Sequence, residues 1–432
     1  MKSIFKKIII AVIQAEAKLI LRKYKPKIVA ITGSVGKTSA KDAIYTVFSG
    51  SYYVRKSQRS YNSEFGVPLT IIGAMSGWNN PFIWLYNIVA GLGVILLKNH
   101  YPEWLILEVS VDQPGDMRKI TSWLKPDIVV ITRFSKVPVH VEFFSSPEEL
   151  MKEKGYLAKA LKPDGCLILN NDDKDVSALQ SLSEYHVHTM GSDDYADIYF
   201  SEPKITYSRS RERKPSGISF KIHHKGGESV VSLKGVLGFH HIYPMMAAFA
   251  AGECADIPAK KIIESFKKHE TPPGRMKLLS GIKKSIIIDD TYNASPVALE
   301  EALMTLELVD TPGKKIAVLG DMLELGKWSV EAHKEAGKRA GEICDLVATV
   351  GIRAGNMAQG ALIAGMPESD ILQYENSREA GKDLESKISE RDVILVKGSQ
   401  SIRMERVVEE IMAEPDKKNE LLVRQEEEWQ KR

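Results

Sequence analysis

The chain has 432 residues, 44% hydrophobic and 27% charged, which is enough apolar material for two or three cored domains and excludes a disordered chain. Its 59 Lys and Arg nearly cancel 56 Asp and Glu, so no global field draws it to nucleic acid and any basic surface is local. Cys166, Cys254 and Cys344 stand far apart in no CxxC or CxxH spacing, which argues against a disulfide framework or a zinc site and fits a reducing cytoplasm.

Residues 1–27 carry Lys2, Lys6, Lys7, Lys18, Arg22, Lys23, Lys25 and Lys27 against Glu16 alone, with Phe5, Ile9, Val12, Ile13, Leu19 and Ile20 between them. The pattern predicts a basic amphipathic helix over 1–26. Its apolar run is too short to span a bilayer, and no small-residue cleavage site follows it. Such a helix either packs on the next domain or lies on a membrane surface.

KIVAIT, GSVGK and TSAKDAIYTVFSG then read as strand, glycine loop and helix. Gly33, Ser34, Val35, Gly36, Lys37, Thr38 and Ser39 offer backbone N–H groups to wrap phosphates, a lysine for the β- and γ-phosphates and a hydroxyl for magnesium. The spacing is GxxGKT, which implies a nucleoside triphosphate without specifying a reaction.

Pro81 to Leu97 is a stretch of 17 residues without a charge; Asn87, Gly91 and Gly93 make it a buried or interfacial helix rather than a span. The runs 104–110, 128–134 and 166–173 predict parallel strands that deliver polar residues at their carboxyl ends. Alternation over 194–235 predicts antiparallel strands, and a helix follows at 242–254. HETPPGRM, residues 269–276, marks a boundary, beyond which strands and helices alternate again.

The expected layout is thus an α/β protein with a helix at 1–26, a central P-loop-like ATP-binding domain with a mainly parallel sheet at 27–270, a Rossmann-like C-terminal domain at 271–413, and a charged, frayed tail at 414–432.

Eight segments, in order, resemble the Mur ligase superfamily: TGSVGKTS (32–39), YNSEFGVPLT (61–70), LEVS (107–110), HVEF (140–143), KEKG (152–155), LNNDD (169–173), GRM (274–276) and DDTYNASP (289–296). VLGDMLELG (318–326) and KGSQ (397–400) with RMERVV (403–408) resemble the branch that adds D-alanyl-D-alanine to a cell-wall precursor. The resemblance covers about residues 28–412.

It implies an ATP-dependent amide-bond ligase that works through an acyl phosphate, with ATP and Mg2+ as cofactors. Lys37, His140, Lys154 and Arg275 would be catalytic. The loop residues Gly33 to Ser39, with Arg275, Asp290 and Asn293, would bind nucleotide. Thr38, Glu108, His140 and a carbamylated Lys154 would hold magnesium, and Asn62, Asp321, Glu324, Lys397 and Ser399 would face substrate. The implied partners are a cell-wall peptide precursor and D-alanyl-D-alanine or a similar amine, with no nucleic acid. Peripheral contact of 1–27 and 77–102 with the inner face of the membrane is the further expectation.

Three departures matter. His240-His241-Ile242-Tyr243-Pro244 replaces an HNxxN whose asparagine contacts adenine in relatives, and Asp112 stands at a histidine position. The glycine loop begins at residue 33, where this branch carries a whole preceding domain that grips the UDP-sugar. A helix of about 20 residues, about 30 Å long, cannot replace such a domain. UDP is then held differently, or the acceptor is lipid-linked or otherwise not a UDP compound, or another amine is joined. A rival of another class is a nucleotide-binding scaffold without ligation, against which the retention of Lys37, Thr38, Glu108, His140, Lys154 and Arg275 argues.

Overall fold

The computed structural model describes residues 2–58, 61–77, 80–111, 113–134, 144, 146–182, 185–209, 213–426 and 429, with the side chains of 2–7, 147, 181 and 182 excepted. The first sheet comprises β1 (Lys27–Thr32), β2 (Val54–Lys56), β3 (Trp104–Glu108), β4 (Ile128–Ile131), β5 (Cys166–Asn170), β6 (His186–Gly191), β7 (Ile198–Tyr207), β8 (Pro215–His224) and β9 (Gly227–Lys234). Its order is β2-β3-β1-β4-β5-β6-β7-β8-β9. Pairing is parallel as far as β7 and antiparallel through β8 and β9. β3, β4 and β5 are buried at every residue, because helices cover both faces of a parallel sheet.

Those helices are α1 (Lys2–Tyr24), α2 (Lys37–Ser49), α3 (Gly66–Ile72), α4 (Pro81–Leu96), α5 (Asp116–Thr121), α6 (Pro147–Gly155), α7 (Lys174–Ser177), α8 (Ile242–Cys254) and α9 (Ala259–Phe266). The second sheet comprises β10 (Lys277–Ser280), β11 (Ile286–Asp290), β12 (Lys315–Gly320), β13 (Leu346–Val350), β14 (Ile371–Tyr374) and β15 (Val393–Lys397), in the order β10-β11-β15-β12-β13-β14. Only its edge strand β10 is antiparallel. The carboxyl ends of β1 and β3 in the first sheet, and of β11 and β15 in the second, lead into loops that line one cleft.

α1 buries Ile9, Ile13, Ala17 and Ile20, spaced one helical turn apart, and packs on α3 and α4. α4 buries only Asn87 and Gly91, so the alternative of a buried helix at 81–97 is corrected to an exposed one. Lys23 Nζ donates to the carbonyls of Val94 (3.1 Å) and Ile95 (2.8 Å), satisfying the carboxyl end of α4. Among the described residues, no helix is long and apolar enough to cross a membrane.

Where α1 meets α4, both carboxylate oxygens of Glu16 are buried without a hydrogen-bond partner among the described residues. They lie against Gly91, where a Cβ would come within 2.4 Å of Oε2. Burial lifts the Glu16 pKa from 4.5 to about 7. The folded state therefore holds the proton more tightly, so stability is complete below pH 4.5 and falls as pH rises through about 7. The loss saturates at about 3 kcal/mol. Glu16→Gln should raise the melting temperature at alkaline pH and leave it nearly unchanged in acid; equal shifts at both would refute this account.

Two expectations are overturned. Cys166 and Cys254, 88 positions apart, are joined as a disulfide, because the start of β5 and the end of α8 pack together; only Cys344 is free. Nor is the 414–432 segment a frayed tail over its described part: Leu422 and Arg424 are buried. Arg424 donates to Glu405 Oε2 (2.9 Å), to the carbonyl of Tyr292 (3.0 Å) and to that of Thr291. Glu405 also accepts from Arg403, so a nearly inaccessible carboxylate needs both cations, a demand that the charge-rich composition of the tail concealed.

Candidate active site

Between β1 and α2 the chain turns through Gly33 (φ +145°) and Gly36 (φ +84°), conformations that side chains resist. A Cβ on Gly33 would lie 2.1 Å from Thr132 Oγ1. The loop is pinned to the end of β4: Ser34 N donates to the Arg133 carbonyl (2.6 Å) and Thr132 Oγ1 to the Val35 carbonyl (2.6 Å). The positive end of α2 thus opens on a backbone cradle. Lys37 Nζ folds over it, donating to the carbonyls of Gly33 (2.8 Å) and Ser34 (3.2 Å).

Glu108 ends β3 beside this loop, in register with Ile31, and is 1% exposed. Its carboxylate accepts from Thr38 Oγ1 (3.0 Å) and Asn62 Nδ2 (3.0 Å), and Lys41 Nζ lies 3.7 Å away. Burial lowers the Lys41 pKa, while Glu108 and Asp42 oppose the shift.

Lys154 reaches the loop from the opposite side. α6 starts at an N-cap, Ser146 Oγ accepting from Glu149 N at 3.3 Å, and carries Lys154 in its last turn. The side chain is 4% exposed and Nζ donates to Ser34 Oγ at 3.0 Å. Burial, and secondarily the charge of Lys37, hold its pKa well below the ordinary lysine value. A neutral amine is the nucleophilic form.

The second sheet supplies the other wall. The Arg275 guanidinium stacks on the Tyr292 ring at 4.0 Å, and its Nε is buried without a partner among the described residues. Asn293 Oδ1 accepts from Gln400 N (3.3 Å) and Ser399 Oγ from Leu323 N (2.9 Å). The cavity between the walls is ≈ 680 Å3 and is also lined by Glu324, Arg403 and Trp429.

Of the residues singled out from sequence, the glycine loop from Ser34 to Ser39, Asn62, Glu108, Lys154, Arg275, Asn293, Glu324 and Ser399 all line this cavity. Gly33, Asp290, Lys397 and Asp321 do not. Asp290 Oδ1 accepts from Met276 N (3.2 Å), while Lys397 Nζ binds Asp290 Oδ2 and the Asn293 carbonyl (3.0 Å), so this pair shapes the Asn293 loop from beneath. Asp321 accepts from Ala354 N at 2.7 Å and tethers the following turn. His140 lies outside the described residues.

Lys41, Tyr292, Gln400, Arg403 and Trp429 were not singled out as site residues from sequence, although Tyr292, Gln400 and Arg403 lie within the segments that carry the resemblance. Lys41 also had a local signal, since it follows Thr38 by three residues on α2 and so shares its face. Trp429 reaches the cavity by a tertiary contact that no local pattern signals.

The cavity suits a magnesium nucleotide. The loop is a cradle that a Cβ would fill, the Arg275 Nε has no partner among the described residues, and Thr38 and Glu108 set two hard oxygen donors 3.0 Å apart. Beside it, the His240 and His241 rings lie 4.5 Å apart. Burial first, then the charges of Lys397 and Arg275, push His240 down to about 3.

Residues 87–252 match the Mur ligase middle domain, and residues 274–400 the Mur ligase, glutamate ligase domain. The chain is 28% identical over 404 residues to the UDP-N-acetylmuramoyl-tripeptide--D-alanyl-D-alanine ligase of Bacillus subtilis, covering 93% of this chain and 79% of that one. The Escherichia coli protein of the same name is 26% identical over 387 residues, covering 88% and 76%. Among solved structures, MurF ligase from Thermotoga maritima in complex with ADP superposes with a TM-score of 0.76 at 24% identity, covering 95% of this chain and 84% of that one. A pseudomurein peptide ligase type C from Methanothermus fervidus gives 0.61 at 17% identity, covering 90% and 79%. Both superpositions establish the fold.

Proposed function

Because the chain belongs to the Mur ligase family, we propose that it is an ATP-dependent peptide ligase that joins D-alanyl-D-alanine to the peptide of a muramoyl cell-wall precursor. The observation that carries this reading is the buried amine of Lys154, 3.0 Å from Ser34 Oγ of the phosphate loop, where burial holds its pKa well below the ordinary lysine value.

ATP supplies the phosphoryl group that activates the acceptor carboxylate, and Mg2+ offsets the negative charge gathered there. Lys37 and Arg275, from opposite walls, hold the phosphates by their charge. Thr38 and Glu108 would hold the metal. The Lys154 amine would add carbon dioxide, forming an N–C bond and releasing a proton, and the resulting carbamate would supply a further anionic donor for that metal. Arg275 stacked on Tyr292 and the Asn293–Gln400 contact position the second wall for closure over the reactants.

The test is ADP and phosphate release with Mg2+, bicarbonate and UDP-N-acetylmuramoyl-tripeptide, with and without D-alanyl-D-alanine, followed by product mass. Turnover that requires the dipeptide, with the matching mass gain, supports the reading. Turnover indifferent to the dipeptide would overturn it and call for other amines.

A second reading, that the acceptor is lipid-linked, is favoured by α4. Phe82, Leu85, Tyr86, Val89 and Leu96 recur at helical spacing on its outward face, with Phe82 79% and Leu96 77% exposed. Exposed Arg22, Lys23 and Lys98 flank the carboxyl end of this helix, so the chemistry suits an anionic bilayer surface. α3 leads from Asn62 at the cleft to this face, and Asn87 Nδ2 ties the connecting turn through the Met75 carbonyl at 2.6 Å. The protein should co-float with phosphatidylglycerol vesicles, and Leu85→Glu with Val89→Glu should abolish flotation without changing turnover on a soluble acceptor. Wild-type protein that stays at the bottom, or that self-associates through this face instead, would defeat the proposal.

A further inference from the structure

Outside the cleft, one cluster of metal-ligating side chains stands apart from the ligase chemistry. Cys166 opens β5 and is paired in register with His186 on β6, and Ile168 with His188. Residues paired across a ladder, and residues two apart on one strand, share a face of the sheet. Cys166, His186 and His188 therefore share one face, which α8 covers, and α8 ends at Cys254. The ligand atoms of Cys166, His188 and Cys254 all lie within 4.8 Å of one another, and the His186 ring centroid is 4.5 Å from that of His188.

We propose that Cys166, Cys254 and His188, with His186 as the fourth donor, form a site for a zinc-class divalent transition-metal ion. Two thiolates and two imidazoles are the donors such an ion selects over magnesium or calcium. Zinc bonds of about 2.3 Å to sulfur and about 2.0–2.1 Å to nitrogen set tetrahedral donors somewhat under about 4 Å apart, so once the disulfide is opened the two sulfurs part and the imidazoles close in around the ion.

Burial first, and then the charge of His186, hold His188 below its ordinary pKa. The Asp197 carboxylate, whose charge acts on His188, accepts from Thr189 N and Oγ1 at 2.8 Å and is held in place beside the cluster.

The disulfide is the oxidised form of the same pair. Two equivalents of a small thiol reduce it, giving two cysteine thiols and one disulfide of the reductant; binding of the ion then releases the two thiol protons. The site joins the far end of α8 to the strand ends opposite the cleft, which makes it a staple of the first sheet and separate from the magnesium nucleotide site.

The experiment uses the full, untagged chain purified with a thiol reductant and dialysed against metal-free buffer. Zinc per chain and titratable thiols are measured before and after a chelator. One zinc per chain is expected, with the two site thiols masked until the chelator removes the ion and reactive after it, while burial keeps the Cys344 thiol protonated throughout. Cys254→Ser and His188→Ala should each lose the zinc while Cys344→Ser keeps it, and circular dichroism should confirm that every variant is folded. Reduced protein whose two site thiols react freely and that holds no zinc after zinc addition, or zinc retained by both folded site variants, would overturn the proposal. So would a disulfide that persists in reductant.

Discussion

Lys154→Ala is expected to lower kcat by about a thousandfold, the scale of losing one preorganised charged group at a reacting centre. The folded state spends little on this lysine as a structural element, since among the described residues its one hydrogen bond is to Ser34 Oγ, and its charge is disfavoured by burial and by Lys37. Removing it should leave the melting temperature nearly unchanged. A role in which Lys154 merely props the loop would instead show as a weakened nucleotide affinity with kcat preserved.

Stripping carbon dioxide from the wild-type assay should depress turnover, and bicarbonate should restore it. The variant should respond to neither. The lowered pKa gives the sign of the pH effect: acid that protonates the amine removes the nucleophile, so reactivation by bicarbonate should be slower in acid than at neutral pH.

Arg424→Ala is expected to cost about 3 kcal/mol of stability, because a buried charge pair is broken while its carboxylate stays buried. Among the described residues Glu405 then keeps Arg403 alone, and the carbonyls of Thr291 and Tyr292 lose the Arg424 donor. Those carbonyls belong to the loop that carries Tyr292 and Asn293 into the cleft, so KM for ATP should rise together with the loss of stability. Chemical denaturation and steady-state kinetics on the same preparation check this. A variant as stable as wild type would mean that the 414–426 segment is not closed over the loop in solution.

Much of the fold was legible because its strands are short β-branched runs punctuated by glycine and proline, and the loop after β1 carries two glycines that the backbone requires. The candidate site was legible where function resides in residues adjacent in sequence, as in Gly33 to Ser39, or at a strand end, as in Glu108. It was not legible where tertiary contacts decide. Asp290, Lys397 and Asp321 have the same residue types as ligand contacts but are consumed in holding loops. The Cys166–Cys254 contact is invisible at a separation of 88 residues, and the uncharged run of α4 reads as a buried or an interfacial helix until its neighbours are known. The tail shows the limit most clearly, since dense charge signals solvation unless a buried Glu405 is known to await it.

The two walls of the cleft hang on different sheets, with Lys37 and Lys154 on one and Arg275 and Asn293 on the other. A bound nucleotide therefore acts as a tie between two bodies, and part of its contact energy goes into restricting their relative motion. Its measured affinity will understate the strength of the contacts that hold it, and a substitution along 269–276 that stiffens the connection could tighten binding without touching a single contact.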